Sequence, residues 1–276
     1  MDIPAARHRL AALLGRPQGE FRLAEGALLI AQEEYPTLCV PSYLARIDDM
    51  AEAIKEQLGL ELEPQQIVAK INAYLFEAQG FHGNQADYYD PRNSFLNDVI
   101  ERHLGIPITL SVLYIDLSRH IGLPVVGVGM PGHFIVQYTA QPEPFWIDPF
   151  ARGQVLAQDD CRARLQQFYE GRLPWRDEYL QVVSDHDILW RMLNNLKLIY
   201  SHQNDPRRVL SAIERLLLIH PDMPTDIRDR GLVHYRLGHP QAALHDLQRY
   251  LQLLPKAPDA AAITRHIVTL RQQLEA

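Results

Sequence analysis

Apolar positions recur every three or four residues through the first hundred residues and predict a run of amphipathic helices. Ala24, Leu28, Leu29, Ile30 and Ala31 mark one, stopped by Tyr35-Pro36. Tyr43, Ile47, Met50, Ala51 and Ile54 mark the next, and Ile67, Ile71, Tyr74 and Leu75 a third. Periodicity then disappears over 81–93 (FHGNQADYYDPRN), where Gly, Asn, Asp and Pro are dense. That stretch reads as a loop, either a binding loop or a connector. Asn93 to Asp98 lead into a short helix ending at Leu104-Gly105. Pro107 suits the first position of another helix, 107–121. Ile108, Leu110, Val112, Leu113, Ile115, Leu117 and Ile121 make that helix apolar nearly all round, so it is expected to be buried.

The period changes after Gly122-Leu123-Pro124. Val125–Val128, Phe134–Tyr138 and Phe145–Ile147 read as strands, and a helix over 159–169 returns the chain across them. Helices followed by antiparallel strands predict an α+β fold.

Beyond Ser184 the pattern is helical and repetitive. Pro221 and Pro255 lie 34 residues apart, closing IERLLLIHP and LQRYLQLLP. The helix–turn–helix period of RGLVHYRLGHPQAALHDLQRYLQLLP resembles the tetratricopeptide repeat. The earlier copy departs from it at Lys197, where that family has a small residue. Two repeats and a final helix (258–275) fall short of the roughly three needed for an independent solenoid, so they are expected to dock on the first domain.

Charge divides the chain in the same place. The 276 residues hold 27 basic and 34 acidic side chains, a formal net charge of −7. Residues 184–276 carry 12 basic against 10 acidic groups, which leaves 15 against 24 in residues 1–183. The expected domains are therefore 1–183 and 184–276. An acidic chain is a poor nucleic-acid binder, and no run approaches the ~18 apolar residues of a membrane span. Two cysteines are too few for a disulfide framework. The start, with acidic Asp2, is unlike a signal peptide, so a cytoplasmic protein is expected.

Several motifs compete for chemistry. Gly127-Val128-Gly129-Met130-Pro131-Gly132 matches the dinucleotide fingerprint by letter, but a strand and not a helix is predicted after it. We therefore expect no cofactor. The twelve histidines do not fall at metal-ligand spacing. His82 with Asp87 and Asp90 is the one metal set worth weighing, and nothing in the spacing fixes its geometry, so no metal is expected. Cys39 and Cys161 read as buried or partly buried inert thiols, neither preceding a buried helix. The strongest constellation is His133 on one strand and Asp148 ending another. A carboxylate on one imidazole nitrogen fixes the ring's tautomer, the supporting part of a nucleophilic triad. A plain structural pair is the competing reading.

These residues carry a resemblance. Buried helix, Gly-Leu-Pro, strand, PGHFIVQY and FWIDPF follow one another as in the papain-related, transglutaminase-like core. More narrowly, FLNDVIERHLGIPITLSVLYIDLSRHIGLP with GVGMPGHFIVQY and WIDPF resembles the bacterial SirB1 family, which joins this core to tetratricopeptide repeats. The resemblance implies a small antiparallel sheet in a helical core, followed by an all-α repeat region. It also implies triad positions. His133 and Asp148 match two of them. The third, a cysteine fifteen residues before the glycine of Gly-Leu-Pro, falls on Pro107. Proline supplies neither a thiol nor the backbone N–H that serves such sites as an oxyanion donor, and one lost donor costs roughly 3 kcal/mol of transition-state stabilisation.

Two hydroxyls are substitutes to weigh. Ser111 lies one turn deeper on the same helical face, and Thr109 stands near the helix start on another face. The leading expectation is a non-catalytic binding, scaffolding or regulatory protein. Its cleft would lie around Pro107, His133 and Asp148, roofed by 81–98 with Asn93, Asn97 and Asp98, and would hold a peptide. Asn97 and Asp98 equally fit the role of capping the following helix. The repeats would engage a protein partner. The alternative is an amide hydrolase or transferase using His133–Asp148 with Ser111, Thr109 or an activated water. A third reading is purely structural.

Overall fold

The structure, a computed structural model, describes residues 5–17, 19–59, 63–140 and 144–275. Asp2, used above for the leader, lies outside them. The chain forms two compact units, residues 1–192 and 193–276. The division falls inside the helix Asp185–His202, between Met192 and Leu193, and not at the expected 183/184.

The first unit opens with α1 (Ala5–Leu14), α2 (Leu23–Glu34), α3 (Val40–Lys55) and α4 (Pro64–Asn72), the last running into a π-helical turn, Ala73–Ala78. The stretch 81–93 is not wholly irregular. β1 (His82–Gly83) pairs in parallel with β2 (Leu104–Gly105), across α5 (Leu96–Arg102). The short helix thus ends before Leu104. His103 adopts a left-handed conformation (φ 56°) that turns the chain from α5 into β2.

α6 (Pro107–His120) is the central helix, and every residue from Pro107 to Ser118 is buried. It packs against α2, α3 and α5 and against the sheet strands β3 (Val125–Val128) and β4 (Ile135–Tyr138). One buried carboxylate ties it to the helical layer. Asp116 accepts hydrogen bonds from Arg22 Nε (2.7 Å) and from the backbone N–H of Ala24 (3.3 Å), at the start of α2. β5 (Phe145–Asp148), β6 (Gln154–Leu156), α7 (Gln158–Phe168) and β7 (Val182–Val183) complete the unit. The sheet is antiparallel in the order β6-β5-β4-β3-β7. Val136 lies opposite Ile147 on one neighbour, an apolar cross-strand pair, and opposite Gly127 on the other. The predicted α+β architecture is observed. The two strands of this sheet that sequence reasoning missed, β6 and β7, are its edges.

α8 (Asp185–His202), α9 (Pro206–Ile219), α10 (Pro224–Arg236), α11 (Pro240–Leu253) and α12 (Ala260–Glu275) follow, two helix pairs and a closing helix. Gly231 and Lys197, one repeat period apart, show how the two copies differ. A Cβ on Gly231 would stand 2.9 Å from Leu247, so glycine is what lets α10 and α11 approach closely. Lys197 instead extends its Nζ to Asp226 (2.8 Å) and Asp229 (3.1 Å) on α10. Burial opposes its charge, yet the two carboxylates hold its pKa above the usual lysine value. Asp226 is 1% exposed, so losing its cation leaves a buried charge uncompensated. Lys197→Ala is expected to destabilise the repeat unit by about 3 kcal/mol, with partial recovery when Asp226→Asn is added. An unchanged melting transition in Lys197→Ala would show that the pair contributes nothing. Among the described residues, no helix is long and apolar enough to cross a membrane.

Candidate functional site

Asp148 is the centre of the site. It ends β5 and is fully buried, and the chain turns sharply after it into Pro149–Ala151. Its Oδ1 accepts the backbone N–H groups of Phe150 (3.0 Å) and Ala151 (3.1 Å), capping that turn. Its Oδ2 accepts Nε2 of His133 (2.8 Å) and a hydrogen bond from Arg164 of α7. Burial pushes this carboxyl's pKa up, but His133, Arg164 and the Ala151 N–H together outweigh burial and hold it below the usual range. The carboxylate is therefore ionised at neutral pH, and its charge is shared between an imidazole and a guanidinium.

His133 stands in the turn two residues before β4 and not on the strand predicted for it. Its side chain is 22% exposed, so the pair is open to solvent on the histidine side. Nε2 is committed to Asp148, and Nδ1 has no hydrogen-bond partner among the described residues. The turn is held from α8. Arg191 donates to the carbonyls of Gly129 (3.0 Å) and Met130 (3.1 Å), and its guanidinium lies 5.5 Å from the centroid of Phe134. A Cβ on Gly129 would fall 2.0 Å from Arg191 Nη1, and Gly132 takes a positive φ of 71°. Of the glycines that mimic a dinucleotide fingerprint, Gly127 lies in β3 while Gly129 and Gly132 serve this turn, and strand β4 follows it.

Pro107 is buried at the first position of α6, where a missing N–H costs nothing. Thr109, fully buried, accepts from the N–H of Ile106 (3.1 Å) and lies 2.7 Å from the Asn93 carbonyl, to which it donates. Its hydroxyl closes the helix start. Ser111 Oγ is buried and has no hydrogen-bond partner among the described residues, so it does not bond back to the preceding turn. No hydrogen bond joins either hydroxyl to His133 among the described residues.

Asn93 is a buried keystone of the loop. It donates to the carbonyl of Asp87 (2.7 Å) and accepts from Asn84 (3.1 Å). Asn97 and Asp98 occupy the first turn of α5 but do not cap it; Phe95 is the residue before the helix and provides no side-chain cap. Asp98 accepts the hydroxyl of Tyr35 at 2.6 Å, and burial raises its pKa. The candidate metal set also disperses into other bonds. His82 Nδ1 donates to Gly80 O (2.8 Å), the Asp87 N–H bonds Asn84 (3.0 Å), and Asp90 pairs with Arg92 and Arg102.

Both cysteines need a fuller account. Cys161 is buried among Val128, Met130, Ile135 and Trp146, and burial pushes its thiol up to about 12. Cys39, expected to be at least partly buried and not to precede a buried helix, is exposed and immediately precedes α3, part of whose face is buried.

Sequence reasoning missed Arg164, Arg191 and Phe150. The Phe150 ring meets His133 edge-on at 6.0 Å and Tyr88 of the loop at 6.3 Å. Arg164 follows the buried Cys161 by three residues on α7, one turn along the same face, and that spacing was its only signal.

A sequence model of the transglutaminase-like superfamily matches residues 41–194, more than half of the chain. A UPF0162 protein of Xylella fastidiosa is 37% identical over 255 residues, covering 91% of this chain and 90% of its own. The chain belongs to the transglutaminase-like superfamily, in the UPF0162 family. A tetratricopeptide repeat model matches residues 196–267 of this transglutaminase-like protein. A UPF0162 protein of Vibrio cholerae is 29% identical over 253 residues, 90% of this chain and 92% of that one. Human F-box only protein 21 is 25% identical over 264 residues, which span 84% of this chain and 41% of that protein. The family match includes α6, the His133 turn and Asp148, with a proline heading the central helix.

Proposed function

We propose that this transglutaminase-like protein is a non-catalytic binding or regulatory module of the SirB1 type. In it the cleft between α6, the His133 turn and Phe150 holds a peptide, and the repeats engage a protein partner. The observation that carries the reading is Pro107, buried where the family's chemistry needs a thiol and a backbone donor. The state of Asp148 supports it. A carboxylate that already holds Arg164 and two backbone N–H groups works as a structural anchor for His133, leaving Nδ1 to meet a ligand. Tetratricopeptide arrays give extended surfaces suited to protein partners, which supports the second half of the reading.

Acyl transfer is the direct test. With a glutamine-donor protein and a fluorescent primary amine, the full chain is expected to show no more incorporation than His133→Ala. Turnover that His133→Ala abolishes would overturn the reading and point to Ser111, Thr109 or water as nucleophile.

A further inference from the structure

We propose that the depression beside Phe150 is a binding site for a carboxylate side chain of a peptide, anchored by Arg152. The inference concerns the face of Phe150 lined by the 82–86 loop and stands independently of the cleft at His133. The depression measures about 530 Å³ and is lined by His82, Gly83, Asn84, Leu104, Phe150 and Arg152. That volume falls within the range of small-ligand pockets and exceeds what one side chain needs, so it accepts a short segment.

The frame is rigid. Phe150 lies so close over Gly83 that a Cβ there would stand 2.3 Å from its ring. The turn carrying Phe150 and Arg152 is pinned at both ends. Asp148 caps it through the N–H groups of Phe150 and Ala151, and the Gly153 N–H returns to the Asp148 carbonyl at 2.8 Å. Asn72 donates to the Gly153 carbonyl at 2.8 Å, and the buried Tyr114 donates to Asn72 at 3.1 Å. This framework holds Arg152 in the left-handed region (φ 55°, ψ 39°), a conformation costly to any residue with a Cβ. Arginine persists there in place of glycine.

The chemistry follows from what is paired and what is not. Arg164, Arg92 and Arg102, the other arginines of this neighbourhood, hold Asp148 or Asp90. Arg152 is exposed and has no hydrogen-bond or ion-pair partner among the described residues, in a chain of net charge −7. A planar guanidinium takes a carboxylate bidentately. Phe150 and Leu104 supply apolar walls for the methylenes of a glutamate. Asn84 is consumed by Asn93 and Asp87, so it shapes the site without contacting ligand; His82, its Nδ1 tied to Gly80, leaves Nε2 unpaired.

The test titrates the ¹⁵N-labelled full chain with acetyl-Ala-Glu-Ala-amide, its glutamine counterpart and inorganic phosphate. The glutamate peptide is expected to shift the amides of 82–86 and 150–153. Binding should weaken at least fivefold for the glutamine peptide and disappear in Arg152→Gly. Because glycine suits the left-handed position, that variant is expected to melt no lower than the parent. Equal binding of both peptides, shifts that survive in Arg152→Gly, or binding of phosphate alone would each overturn the proposal.

Discussion

Asp148→Ala is expected to destabilise the first unit by about 3–5 kcal/mol, a fall of roughly 10 °C in its melting temperature. The size of the effect follows from how many groups converge on one carboxylate. Removing it strands the N–H groups of Phe150 and Ala151, releases Arg164 and frees His133. Asp148→Asn separates these contributions. It keeps an acceptor for the two N–H groups but sets an NH2 donor against Arg164 and His133 in place of Oδ2, so its loss reports the Oδ2 side alone and should be smaller. The pH dependence has a definite sign. The folded pKa of Asp148 is depressed, so its stabilisation is fully present above the unfolded carboxyl value near 4 and is lost as pH falls through the folded value. Acid melting curves of the parent and Asp148→Asn should therefore keep a constant separation above about pH 4 and draw together progressively as pH falls below it. Parallel curves across that range would show that the ionised carboxylate adds nothing to stability.

Asp148 also shows where sequence reasoning reaches and where it stops. The fold was legible because its signals are local. The apolar run from Ile108 to Ile121 announces a buried helix, alternation announces β3 to β5, and a 34-residue spacing announces the repeats. The short pairings were not legible. Two-residue strands such as His82–Gly83 and Val182–Val183 have no period to detect, and they exist only because a distant partner supplies hydrogen bonds. The site divides the same way. The pairing of His133 with Asp148 followed from a recognisable order of motifs. Arg164, Arg191 and Asn72 reach the site from three separate helices, and apart from the spacing of Arg164 from Cys161 nothing in their own segments marks them. As sequence, Asn93 suggests a cleft contact and Thr109 a spare nucleophile. The structure uses both to build the loop and the helix start, because a buried polar side chain beside free backbone groups is drawn into satisfying them.

Pro107→Cys tests whether the cleft around the missing nucleophile is still in catalytic register. A cysteine at the first position of α6 regains a backbone N–H and sits at the positive end of the helix dipole, both of which favour a thiolate. His133, with Nε2 on Asp148, has Nδ1 to offer as its partner. The background must be Cys39→Ala, because Cys39 is exposed, whereas Cys161 is buried with its thiol pushed up to about 12 and will not compete. Alkylation by iodoacetamide, followed against pH, is expected to show a midpoint below about 7 in place of the usual value near 8.5. Adding His133→Ala should return that midpoint upward by about one unit or more, which a dipole effect alone would not produce. An ordinary thiol midpoint unaffected by His133 would mean that the helix start and the histidine are out of reach of each other. The proline would then mark a core rebuilt for binding around other contacts, with the His133–Asp148–Arg164 cluster kept to hold the β4–β5 end of the sheet together.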